Sequence, residues 1–215
     1  MRFKDRADAG RRLGALLASC AAGPGYVLGI PRGGIVVAAE VARRLAWPLH
    51  AVSVKKVAHP LNPELAVGAV APDGTVVINH EAVRVLAIEP DELERAISTA
   101  LEQARQRERL YGQLPDIQGR PALVVDDGLA TGYTAIAAAR YVRQLGARPV
   151  VIAAPVAARA SARLILDECD RVVALTTPSD LEAVGHWYDD FRPVDDAVVV
   201  SLLQELATFR RPAEA

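Results

Sequence analysis

The sequence predicts an α/β fold: a Rossmann-like domain with a central parallel sheet, flanking helices and a site at the carboxyl ends of the strands. Three observations predict it. Short apolar, β-branched runs such as Tyr26-Val27-Leu28-Gly29-Ile30 and Ala122-Leu123-Val124-Val125 read as strands buried on both faces. Stretches with helical spacing separate those runs. Glycine-bearing turns join strand to helix at Pro31-Arg32-Gly33-Gly34 and at Asp126-Asp127-Gly128.

Taken in order, Ala7 to Ala21 read as a helix with Leu13, Leu16 and Leu17 on one face, stopped by Gly23-Pro24-Gly25. Tyr26 to Ile30 form the first strand. Ile35 to Leu45 form a helix with Val37, Val41 and Leu45 aligned. Leu49 to Val54 form a second strand that ends in Lys55-Lys56. Strand, turn, helix and strand make a βαβ unit with a right-handed crossover. Val57 to Pro63 read as a loop holding two prolines, and Asp73-Gly74 between Ala66–Val70 and Thr75–Asn79 is a hairpin signal. Asp91 to Leu110 read as a long amphipathic helix, with Pro90 at its start and Leu93, Ile97 and Leu101 recurring along it. Its Arg105, Arg107 and Arg109 read as a solvated face. A helix opens near Ala135. Strand Pro149–Ala154, helix Ala158–Asp167, strand Val172–Thr176, an irregular stretch Pro178–Asp190 and helix Asp195–Ala207 complete the chain.

Composition bounds the function. The chain has 215 residues, 51% of them hydrophobic and 24% charged, which suits one well-cored domain. A formal net charge of -1 gives no sign of a nucleic-acid partner. No apolar run approaches the roughly 20 residues of a membrane span. The first residues, Met1-Arg2-Phe3-Lys4-Asp5-Arg6, carry no apolar signal-peptide core, so the expectation is a cytoplasmic protein. Cys20 and Cys169 have no partner spacing and read as small buried hydrophobes. His50, His59, His80 and His186 show no metal-ligand spacing. Of 25 basic residues only Lys4, Lys55 and Lys56 are lysines, which narrows the search for a catalytic amine.

The chemistry concentrates in Val124-Val125-Asp126-Asp127-Gly128-Leu129-Ala130-Thr131-Gly132-Tyr133-Thr134. A strand ends in two acids, turns through glycines and opens a helix. The loop from Ala130 to Thr134 offers backbone N–H groups and two hydroxyls at a helix mouth, where the dipole favours an anion. The two carboxylates repel a phosphate but accept hydrogen bonds from neutral hydroxyls. A ligand with a phosphate beside a vicinal diol, such as a ribose 5-phosphate, satisfies both halves. An ordinary Asp-Asp-Gly turn is the bland alternative; the Thr-Gly-x-Thr that follows outweighs it.

This stretch resembles the 5-phosphoribosyl 1-pyrophosphate (PRPP) motif of the type I phosphoribosyltransferases, and the whole chain resembles a little-characterised bacterial subgroup of that family. The resemblance implies that Asp126 and Asp127 hold the ribose hydroxyls, that Ala130, Thr131, Gly132, Tyr133 and Thr134 cradle the 5-phosphate, and that Gly128 and Leu129 belong to the same substrate-binding loop. It implies that Arg32, Gly33 and Gly34 hold the diphosphate, and that Lys55 or Lys56 neutralises the departing charge. Strand alternation sends only one of these lysines toward the site. It further implies a core over about 22–176, a mobile loop over about 57–79 that excludes water, and a hood over about 177–215. In the hood, Trp187 and Tyr188 are candidates to stack on a base; rings that pin the segment to the core are the alternative. Purine-specific members read a 6-oxo group with a lysine near the hood. This chain has none after Lys56, and arginine is not equivalent.

The implied function is Mg2+-dependent transfer of ribose 5-phosphate from PRPP to a nitrogenous acceptor, a nucleobase by resemblance, with release of pyrophosphate. Magnesium would be held mainly by PRPP and water, with no dedicated protein ligand and Asp126 or Asp127 as the candidate contact. A homodimer is the family expectation. The alternative function is a regulator that binds PRPP or a nucleotide without turnover, since fold and ligand site do not prove catalysis.

Overall fold

The computed structural model describes residues 1–19 and 23–207. Helix α1 (Arg6–Ala18) begins where Asp5 accepts a hydrogen bond from the Asp8 amide. Cys20 and the expected last residues of this helix lie outside the described residues. Strand β1 (Tyr26–Gly29), helix α2 (Gly33–Leu45) and strand β2 (Leu49–Ala51) form the βαβ unit, with the two strands parallel.

The next segment departs from the sequence reading. Strand β2 stops at Ala51, and Lys55-Lys56 begin a new strand, β3 (Lys55–His59). The expected loop over 57–63 is instead β3, a turn at Pro60 and Leu61, and the start of β4 (Asn62–Val70). With β5 (Val76–Ile78) these strands build a second, antiparallel sheet in the order β3-β4-β5. Two register shifts between Val57 and His59 break the alternation, so no period of two was there to read. The prolines fall in the turn and near a strand start, where a missing N–H is tolerated. The hairpin at Asp73-Gly74 is as expected: Gly74 has φ 98°, and Asp73 accepts from the Thr75 amide at 2.9 Å.

A short helix α3 (His80–Val85), capped by Asn79, was not expected. The long helix α4 (Pro90–Tyr111) packs on the small sheet through Val57, Val67, Val70 and Ala100. Strand β6 (Ala122–Val125), helix α5 (Tyr133–Gln144), strand β7 (Val150–Val156), helix α6 (Arg159–Leu166) and strand β8 (Arg171–Thr176) continue the α/β pattern. One 3-10 turn at Val184–Trp187 and helix α7 (Asp196–Leu206) follow.

The main sheet is parallel throughout, in the order β2-β1-β6-β7-β8. Alternation divides its side chains. Val27, Leu49, Leu123 and Val125 pack against α1, α2 and α7 through Leu13, Ile35, Val37, Val199 and Leu203. Leu28, Val124 and Ile152 pack against α5, α6 and the small sheet through Ile136, Ile165, Ala69 and Val77. The helix after β1 and the helix after β6 therefore cover opposite faces. The crevice this leaves beyond the carboxyl ends of β1 and β6 is the switch point of an open sheet, where such folds bind ligands.

Candidate active site

Both glycine loops open at that switch point. Past β6, the Leu129 amide donates to the Val156 carbonyl at 2.9 Å, and the Ala158 amide donates back to Leu129 at 2.8 Å. These bonds and the buried Leu129 side chain anchor the loop base, while Ala130 and Thr131 stay exposed. The Ser161 hydroxyl donates to the Ala130 carbonyl. Gly132 turns the chain into α5 with φ 87°, a left-handed conformation that glycine adopts at little cost. Among the described residues, none of the amides from Ala130 to Thr134 donates to a protein group. Neither α5 nor α2 has a side-chain cap. Two helix mouths therefore present unsatisfied N–H groups to one crevice.

Gly33 and Gly34 lie directly against the acids. A β-carbon on Gly33 would overlap Asp127 Oδ2, and one on Gly34 would lie 2.8 Å from Asp126 Oδ1. Only residues without a side chain let the β1 loop come this close. The Pro31–Arg32 peptide bond at its start is cis.

Each acid has one oxygen engaged by protein. Asp126 Oδ1 accepts from the Asp127 amide at 2.8 Å, and Asp127 Oδ2 accepts from Arg6 Nε at 2.7 Å. No N–H or hydroxyl of the described residues donates to the second oxygens, Asp126 Oδ2 and Asp127 Oδ1, and the two carboxyl groups interact with each other. Burial first, and then the charge of Asp127, push the Asp126 carboxyl well above the usual carboxylate range. The donor set suits a limited role toward magnesium. Among the described residues no three His, Cys, Asp or Glu side chains cluster as a metal site. A magnesium ion that keeps its waters and phosphate ligands needs one or two carboxylates, which the open oxygens of Asp126 and Asp127 can supply.

Arg6 had no signal in the sequence. It lies at the start of α1, remote in sequence from the acids, and is carried to them by the chain ends. The Phe3 amide donates to the Trp187 carbonyl and the Asp189 amide to the Phe3 carbonyl, both at 2.8 Å, so the two segments pair. The Arg6 guanidinium lies 3.8 Å from the Phe191 ring centroid and donates to the Arg192 carbonyl at 2.9 Å.

Cations line the other side. Arg32 Nη1 lies 3.7 Å from Asp196 Oδ1 at the start of α7, and the Tyr111 hydroxyl donates to the same oxygen at 2.5 Å. Burial and this bond push Tyr111 up to about 12. The Lys55 amine is half-buried. Burial lowers its pKa, and the neighbouring charges of Arg107 and Arg32 lower it further. Lys56 is exposed, and its charge bears on Asp126. The two lysines differ in burial, as the alternation of a strand would have them. Of the three arginines read as a solvated face, Arg109 pairs with Glu102 and Arg105 bonds the Pro72 carbonyl, while Arg107 faces Lys55 electrostatically.

The aromatic segment divides. Tyr188 is 2% exposed, packed between Phe3 and Phe191 at centroid distances of 5.3 and 5.0 Å. Its hydroxyl donates to the Asp127 carbonyl at 2.6 Å. The ring is enclosed and its polar tip is occupied, so it pins the segment instead of presenting a free stacking face. Trp187 is half-buried beside this cluster. A β-carbon on Gly128 would overlap Val184, which shows how closely the segment covers the acid loop.

Fold and crevice together define an open α/β protein in which an acid pair, two uncapped helix mouths and a set of cations meet at the switch point. The family model for the phosphoribosyl transferase domain matches residues 9–189, and the chain belongs to that family. A Mycobacterium tuberculosis protein provisionally named phosphoribosyl transferase is 40% identical over 204 residues, which are 94% of this chain and 46% of that protein. The chain thus spans about half the length of the curated relatives it matches. The crystal structure of TT1426 from Thermus thermophilus is 42% identical, covers 96% of this chain and 100% of its own, and superposes with a TM-score of 0.77. A Neisseria gonorrhoeae protein crystallised with bound ppGpp shares the fold at 14% identity and a TM-score of 0.51, over 96% of this chain and 97% of its own. The described residues contain no helix long and apolar enough to cross a membrane.

Proposed function

We propose that this chain transfers ribose 5-phosphate from PRPP to a nitrogen of a nucleobase and releases pyrophosphate. One observation supports it most: the second oxygens of Asp126 and Asp127 are taken by no N–H or hydroxyl donor, and the amides of Ala130 to Thr134, a few residues further along the chain, are unengaged. That is a pair of acceptors for a diol next to a cradle of donors for a phosphate. Membership of the phosphoribosyl transferase family supports it.

In this reading Asp126 and Asp127 accept from the ribose 2- and 3-hydroxyls, and Thr131 and Thr134 add hydroxyl donors to the phosphate cradle. The Gly33 and Gly34 amides and Arg32 hold the diphosphate. The bond from ribose C1 to the diphosphate oxygen breaks with its electron pair leaving on that oxygen. The acceptor nitrogen bonds to C1, and its proton passes to the departing diphosphate. Positive charge develops on the ribose, which the carboxylates favour, and negative charge on the diphosphate, which Arg32 and Lys55 favour. Bound magnesium would neutralise diphosphate charge, with Asp126 or Asp127 as its protein contact. Trp187 is the remaining ring candidate to lie against the base.

The test is pyrophosphate release from PRPP and Mg2+ across a panel of purines and pyrimidines. Release with at least one base, abolished in the double variant D126N/D127N, is the expected result. Binding of PRPP with no release for any base would favour the regulator reading.

A further inference from the structure

We propose that Arg6 is a positioning residue for the acid pair: it holds Asp127 so that one carboxylate oxygen is left to the ribose diol. The inference rests on the proposed ribose site. Two adjacent carboxylates repel each other and have no intrinsic reason to keep one geometry. Arg6 supplies the fixed cation. Its side chain is 11% exposed and that of Asp127 is 17% exposed, so solvent competes little for the pair.

Three contacts fix the guanidinium itself: Nε to Asp127 Oδ2 at 2.7 Å, Nη1 to the Arg192 carbonyl at 2.9 Å, and the Phe191 ring at 3.8 Å. A planar, permanently charged fork meets all three at once, which an ammonium cannot. Asp127 is held from its backbone as well, because the Tyr188 hydroxyl bonds its carbonyl. Arg6 and Tyr188 both belong to the paired segments 3–6 and 187–192. The wall on this side of Asp127 is thus built from two segments far apart in the chain, and it orients the acid as well as covering it.

The probes are ribose 5-phosphate and 2-deoxyribose 5-phosphate, which differ by one hydroxyl of the diol. Wild type is expected to bind the ribose form more tightly, and R6Q to shrink that preference about tenfold, a coupling usual for directly interacting residues. R6K, which keeps the charge without the fork, is expected to fall between them. If R6Q weakens both ligands alike and keeps the preference, Arg6 is only structural and the proposal is overturned. Should R6Q fail to fold, R6K decides, and a preference equal to wild type overturns the proposal. Wild type with no preference for the diol removes the proposed ribose site and the role of Arg6 with it.

Discussion

Gly34 lies beneath Asp126 with no room for a methyl group: a β-carbon there would be 2.8 Å from Oδ1 and 2.9 Å from both the Asp126 Cα and the Val125 carbonyl. The obstacles are largely backbone and cannot move aside. G34A is expected to cost about 1–3 kcal/mol of stability in urea unfolding, in the range of overpacked interiors. At Gly33 the clash is with the ends of the Asp127 and Arg6 side chains. G33A should therefore break the buried Arg6–Asp127 pair, costing stability as well as PRPP binding. A G33A or G34A variant as stable as wild type would contradict this placement.

Asp126 is held at a cost to folding. Burial and the neighbouring Asp127 charge raise its pKa in the folded state. A raised folded value means stability is greatest while the carboxyl is protonated and falls as pH rises through that value. At pH 7, D126N is expected to raise the melting temperature while weakening PRPP binding. Its stability should decline less than wild type between acid and neutral pH. A melting temperature below wild type at pH 7 would sink this expectation.

Burial and the cations Arg107 and Arg32 depress the Lys55 amine. A bound diphosphate favours its charged form, so binding should take up a proton at alkaline pH, where part of the amine is neutral. Calorimetry in buffers of different ionisation enthalpy would measure that uptake. K55M is expected to abolish it and to weaken pyrophosphate roughly tenfold or more, as for a lost charge-assisted bond. Unchanged proton uptake in K55M would assign it to another group.

Tyr188 and the backbone of Asp127 share one bond at 2.6 Å. Y188F leaves the carbonyl without that donor and should cost about 1 kcal/mol, read from the thermal midpoint. Y188A also removes the packing against Phe3 and Phe191 and should cost about 3–5 kcal/mol, as for other large aromatic truncations. Because the ring is enclosed, the ranking of acceptor bases should be the same in Y188F as in wild type. A changed ranking would show that the ring reaches the base.

Particular elements show how much was legible in the sequence. β6 is buried at all four positions, and its unbroken apolar run was readable for that reason. The acid pair, the glycines and the helix mouth of α5 follow one another along the chain, so their chemistry could be read from spacing alone. The strand over 55–59 could not, because bulges erase its alternation and its burial comes from α4. The Tyr188 ring looked like a stacking surface because nothing local reveals Phe3 and Phe191 on its two sides.

The sequence by itself determined the parallel α/β class, the order of the strands along the chain, and the loop with an acid pair and a phosphate-type helix mouth. Each of these is written in short-range pattern: residue period, turn chemistry and the step from strand to helix. Tertiary structure alone decided that the two glycine loops touch, that the charges of Arg32 and Arg107 bear on Lys55, and that Arg6 reaches Asp127 across 121 residues of chain. Those contacts depend on where β1 and β6 sit side by side and where the segment at Phe3 pairs with that at Tyr188, and local periodicity carries no record of either.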